Sequence, residues 1–123
     1  MELAEMLRLA VAIHDKYDEL NLRRRGRVWA RSDYVNGFMG DVGDLAKIVM
    51  AEEGLRPGAS RAALEHELAD CLWSVLILAY RYGVDLESAF RRTMAELDTA
   101  ITAQLDSDDQ PPGQGEAGAG AGA

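Results

Sequence analysis

The ten residues Cys71 to Tyr80, CLWSVLILAY, constrain the chain more than any other stretch. They fall in a helical segment that opens at Ser60, an N-cap residue, and closes at Gly83, placed as a C′ glycine. Its first half is amphipathic, but Leu72 to Ala79 is apolar nearly all round. A helix that is apolar on every side is buried on every side. The run is too short to span a bilayer, so protein has to cover it. Four helices of the length available here hardly enclose one of their own. The pattern therefore predicts self-association, as a homodimer or a homotetramer that covers the open side.

The remaining periodicity is helical as well, with no convincing alternating segment and no internal repeat. A first helix is expected from about Leu3 to Arg24, with Leu7, Val11, His14 and Asp18 along one stripe and Leu3 and Ala10 beside it. The cluster RRRGR, Arg23 to Arg27, closes it, where cations suit the helix dipole. The second helix is expected to start with Ser32 as N-cap and Asp33 in its first turn, and to stop at Gly54. A fourth runs from near Asp85 to about Leu105, with Leu86, Phe90, Met94, Leu97 and Ile101 as its apolar stripe. Short connections between helices of similar length predict an all-α, antiparallel four-helix bundle over residues 1–105. Residues 106–123, DSDDQPPGQGEAGAGAGA, read as a disordered acidic tail rich in Pro, Gly and Ala.

Charge narrows the function classes. The formal net charge is -8, and setting aside the tail acids Asp106, Asp108, Asp109 and Glu116 leaves -4 on the body. A mildly acidic body argues against nucleic acid as a partner, which needs a basic face, but not against a nucleotide carried in with metal ions. The single cysteine, Cys71, has no partner for an internal disulfide and reads as a small buried hydrophobe. The first twenty residues lack a basic n-region and are interrupted by Glu2, Glu5 and Arg8, so no signal peptide is expected. These features together predict a cytoplasmic protein with no membrane partner.

The carboxylates carry the chemistry. Gly37 to Lys47, GFMGDVGDLAK, places glycines at 37, 40 and 43 and aspartates at 41 and 44 inside the second helix. Each interior glycine costs a helix about 1 kcal/mol against alanine, and Asp is a poor helix former. Residues three apart lie roughly 60° apart on one helix face, one turn along. Asp41 and Asp44 form such a pair, and Glu67 and Asp70 form another at the head of the apolar run. Bare carboxylates there repel each other and are costly to desolvate, and a hard divalent cation resolves both problems. The expectation is a metal site made of Asp41, Asp44, Glu67 and Asp70, with the glycines letting a neighbouring helix or a ligand approach the backbone.

The phrases GDVGDLAKIVMAEEG and HELADCLWSVLILAYRYGVDLESAF resemble the MazG-like nucleotide pyrophosphohydrolases, the all-α NTP pyrophosphatase superfamily. The resemblance covers about Tyr34 to Phe90. It implies Mg²⁺-dependent hydrolysis of a nucleoside triphosphate to the monophosphate and pyrophosphate, with Mn²⁺ as the other candidate ion. It further implies that the four carboxylates are catalytic as metal ligands, and that the role is clearance of non-standard nucleotides. Asp41 and Asp44 stand where the family carries the two Glu of ExxE, and Glu67 and Asp70 match its ExxD. Gly40 stands where many members have a further Glu, and Thr93 and Leu97 where many carry Lys and Asn. Those departures motivate a second reading, a nucleotide- and metal-binding protein with weak or no turnover. The apolar third helix motivates a third, a structural helical oligomerisation protein.

Five more residues are candidates for substrate binding. Trp29, in the connection before the second helix and flanked by Arg27 and Arg31, can stack on a base, although a tryptophan there more often caps the bundle end, and Arg31 can bind phosphate. Lys47, one turn beyond Asp44, can reach a phosphate or equally pair with an acid. His14 and Lys16 can line the substrate side, although a histidine on an apolar stripe is more often a satisfied core residue. His66 is expected to be exposed and off the ExxD face, and Trp73 to serve packing or an interface.

Overall fold

The computed structural model describes residues 1–58 and 60–109. Four helices and no strand occur among them: α1 (Leu3–Arg25), α2 (Arg31–Glu52), α3 (Arg61–Tyr82) and α4 (Leu86–Asp108). No helix among the described residues is long and apolar enough to cross a membrane. The chain divides into a compact unit of Met1–Leu86, holding α1 to α3, and a second unit from Glu87 onward. The expected tail is helical as far as Asp108, and residues 110–123 lie outside the described residues.

Local signals account for most helix ends. The Gly26 N–H returns to the Leu22 carbonyl in a left-handed turn at φ 73° that stops α1. Ser60 caps α3 by accepting from the Ala63 N–H at 3.0 Å. Gly83, at φ 66°, ends α3, and the Val84 N–H closes on the Ala79 carbonyl at 2.8 Å. Besides the longer α4, the start of α2 differs from expectation. Ser32 is not the N-cap of α2, because the helix already begins at Arg31 with Ala30 as N-cap. Ala30 has no side-chain acceptor, and Asp33 compensates by reaching back from the third helical position to accept the Ala30 N–H at 2.8 Å.

In the first unit α3 packs along both α2 and α1. Ala10, Tyr34, Leu76 and Ile77 form the buried centre, and Ile77 is fully enclosed. Leu3, Met6, Leu7, Val11, Trp29, Trp73, Leu78 and Leu86 surround it. The all-round burial expected of α3 is not met within one chain. Ser74, Leu76, Ile77 and Ala79 are buried, while Leu72 and Tyr80 remain 45% and 46% exposed. The physical reason is that α1 and α2 cover one side of the helix and leave the other to solvent. The helix of the second unit, α4, buries no residue; Phe90, Leu97, Ile101 and Leu105 on its apolar stripe are all exposed.

Candidate active site

The site starts from two helical repeats. On α2, Asp33, Gly37 and Asp41 recur every four residues and so share a face. On α3, Ala69, Asp70, Trp73 and Ser74 do the same. These seven residues, with Ile13 and Tyr17 of α1, Trp29 and Tyr34, line one cavity of about 620 Å³. Its volume lies within the range of small-molecule sites.

One part of the wall is aromatic. The rings of Tyr17, Trp29, Tyr34 and Trp73 touch in a closed cycle, with centroid separations of 5.0 Å (Tyr17–Trp29), 5.6 Å (Trp29–Tyr34), 5.9 Å (Tyr34–Trp73) and 5.8 Å (Trp73–Tyr17). Two backbone contacts fix the tryptophans. Trp73 Nε1 donates to the Ala10 carbonyl at 3.1 Å, and the Trp29 carbonyl accepts from Arg81 Nη1 at 3.3 Å. Trp73 therefore both packs and lines the cavity.

The other part is acidic. Asp41, Asp44 and Glu67 each offer a carboxylate oxygen within 4.8 Å of the others, and Glu67 and Asp70 join His66 in a second such group. Burial, then the charges of Asp70 and Asp44, push the Asp41 carboxyl above the usual carboxylate range; His66 offsets part of this. Glu67 Oε2 is buried and has no hydrogen-bond partner. Mutual repulsion and an orphaned buried oxygen are what a divalent cation would relieve, so the donor set fits one. Cys71 beside this cluster is half-buried, and its thiol is pushed up by burial and by Asp41, Glu67 and Asp70, which suits an inert side chain.

The remaining candidates scatter. His66 is exposed as expected, but its ring folds back so that Nε2 lies 3.0 Å from Asp70 Oδ2. His14 does not reach the cavity. Its ring is buried among Tyr34 and Tyr80 at 5.6 Å each, with Nδ1 3.0 Å from Asp15 and Nε2 3.4 Å from Arg81 Nη1. It is a satisfied core residue, because α3 and α2 close over that stripe of α1. Lys16, one residue past Asp15 on the exposed side, and Lys47 are both exposed and outside the cavity lining. Arg31 is engaged elsewhere, donating to the Arg81 carbonyl at 3.3 Å and lying 4.6 Å from the Tyr82 ring centroid. Sequence reasoning missed Tyr17, Tyr34 and Asp33 as cavity residues. The signal for Asp33 was the four-residue spacing through Gly37 to Asp41.

The glycines also read differently in place. A Cβ at Gly37, Gly40 or Gly43 would meet nothing within 4 Å, so no neighbouring helix of this chain presses on them. Gly37 borders the cavity, and there the open space is space for a ligand.

The described residues are helical throughout their regular structure, with a carboxylate cluster beside an aromatic-walled cavity. Residues 32–99, more than half of the chain, match the MazG nucleotide pyrophosphohydrolase domain. The chain belongs to that family, which acts on nucleotides and generally uses a divalent metal. No match is found among curated proteins or among solved structures.

Proposed function

We propose that the protein hydrolyses a nucleoside triphosphate to the monophosphate and pyrophosphate, with the base in the aromatic cavity and the phosphates at the acidic end. The observation that carries this is the adjacency of the two: Asp41 and Asp70 line the same cavity as Trp29 and Trp73. Asp41, Asp44, Glu67 and Asp70 would hold Mg²⁺ or Mn²⁺. The bound cation supplies charge neutralisation on the phosphates and acidification of a water. In the reaction, water oxygen bonds to the α-phosphorus, the bond to the α–β bridging oxygen breaks, and pyrophosphate leaves with that oxygen. The stacked rings fix the base and so orient the α-phosphorus. Trp29 would stack on the base, a role supported by its place in the cavity wall. His14 would act by holding Tyr34 in place, not by touching substrate.

The same reading includes an antiparallel bundle that self-associates as a dimer or tetramer in the cytoplasm. The apolar residues left open on α3 and α4 support it, and sedimentation of the full chain tests it. A non-standard nucleotide as substrate comes from the family resemblance alone. A binding protein without turnover is the second reading. It is favoured by Gly40, which supplies no acid beside Asp41 and Asp44.

Pyrophosphate release from a panel of canonical and modified nucleoside triphosphates, with Mg²⁺ and with Mn²⁺, tests both. Turnover abolished by Asp70→Asn is the expected result. Metal and nucleotide binding with no pyrophosphate released from any substrate would replace hydrolysis with the binding reading. No metal-dependent thermal shift at all would leave only a structural role.

A further inference from the structure

Asp33 stands apart from the other acids of the cavity. It is not in the carboxylate cluster, and it lies eight residues before Asp41 on the same face of α2, about 12 Å along the helix. Gly37 lies midway and leaves the intervening wall open. Trp29, which precedes α2, is on the Asp33 side of that wall. A nucleotide whose phosphates meet Asp41 and Asp70 therefore extends its base toward Asp33.

The carboxylate of Asp33 is held in position by the fold. Oδ2 accepts the Ala30 N–H at 2.8 Å and lies 3.7 Å from Arg27 Nη1. Both contacts fall on Oδ2, and the residue itself borders the cavity. A carboxylate oxygen accepts hydrogen bonds and donates none. An exocyclic amino group at the rim of a base offers it a hydrogen. A carbonyl oxygen in the same place puts one acceptor against another. The imide N–H of uracil lies between two such carbonyls and brings them with it.

We propose that Asp33 selects bases bearing an exocyclic amino group, accepting cytosine over uracil. This rests on the reading of the cavity as the nucleotide site. A site built to pair one polar group rejects the analogue that cannot pair, because its own group is left unsatisfied.

The two tryptophans of the chain, Trp29 and Trp73, both line the cavity, so their fluorescence reports occupancy without turnover. The experiment titrates the full chain, in saturating Mg²⁺, with dCMP and with dUMP, which differ at the amino and carbonyl positions. Tighter binding of dCMP, by about tenfold or more, is expected. Asp33→Asn keeps a carbonyl oxygen for the Ala30 N–H but presents an amide donor, so the ratio should fall toward one or invert, with the melting temperature nearly unchanged. Equal binding of the two nucleotides to the wild-type chain would overturn the role of Asp33 and leave the nucleotide site intact. An unchanged ratio in a folded Asp33→Asn chain would do the same. Failure of every nucleotide to alter the fluorescence would instead overturn the cavity reading itself. The wild-type comparison can overturn the proposal even where the variant does not fold.

Discussion

Two groups of ionisable residues sit within the first unit, and they differ in how their charges are met. Around His14 opposite charges meet, although Asp18 Oδ1 is buried without a hydrogen-bond partner. Asp15 and Asp18 face the imidazole, Arg81 lies on its other nitrogen, and Tyr34 stacks on its ring. Around Asp41 they do not. Asp41, Asp44 and Glu67 face one another, Asp70 lies beside Glu67, Asp41 is pushed toward its protonated form, and the nearby His66 ring is taken up by Asp70. Both clusters contain the residue types of a metal site, so composition alone does not separate them. The balance of charge does: Arg81 lies against the first group, whereas the second is acid facing acid and a cost to the fold.

The sharpest way to break this contrast is to remove a member of each group. At the acidic end, Asp70→Asn should lower metal-dependent turnover by more than about a hundredfold, because it deletes a ligand and unbalances its neighbours. The chain without metal should melt no lower than the wild type. Mg²⁺ or Mn²⁺ should raise the wild-type melting temperature, by about 2.7 kcal/mol of stability at a hundred times Kd, and a chelator should remove the gain. The variant should show little of it. At the core end, His14→Ala should cost about 2–4 kcal/mol by emptying a buried site and leaving Arg81 and Asp18 less well paired. Chemical denaturation measures that loss. A His14→Ala chain that keeps its stability but loses nucleotide binding would reverse the assignment of the two clusters.

A smaller effect sharpens the electrostatics. Asp41→Asn should raise the melting temperature of the metal-free chain by a few degrees at neutral pH while weakening metal binding. The sign follows from the raised Asp41 carboxyl, which binds its proton more tightly folded than unfolded. Lowering the pH through that raised range therefore adds stability to the metal-free wild type, and the gain ends below the ordinary carboxylate range. The difference between wild type and variant should shrink over the same interval. A difference that grows on acidification would mean that the carboxylates near Asp41 are compensated after all.

The sequence made the helices legible because their end signals are local. Ser60, Gly26 and Gly83 act through their own neighbours, and each sits where its chemistry requires. The α2 start was missed because Asp33 caps from inside the helix, a choice that depends on the path of Ala30. The acidic pairs were legible from three-residue spacing on two helices. The aromatic cavity was only half legible. Tyr17 and Tyr34 come from different helices, and nothing in either local pattern says that they meet through Trp29 and Trp73. His14 shows the opposite case: its stripe left the substrate side and the core both open, and only its burial against Tyr34 and Arg81 places it in the core.

The glycines supply the smallest test and the one that separates the cavity from the rest of α2. Gly37, Gly40 and Gly43 are equally exposed to the cost of a glycine in a helix, and a Cβ is free of contacts at all three. Alanine at each should therefore stabilise the chain, by up to about 1 kcal/mol, through the backbone entropy of the unfolded state. Only Gly37 borders the cavity. Gly43→Ala should raise the melting temperature and leave nucleotide affinity unchanged. Gly37→Leu should also leave the fold intact, yet its side chain would enter the space between Asp33 and Asp41 and weaken nucleotide binding, read by tryptophan fluorescence. If the two substitutions act alike on binding, the open space at Gly37 is not where the ligand lies, and the helix tolerates its glycines there for some other reason. If they part, the helix cost at Gly37 is tied to the site, and the cavity rather than helix packing explains that position.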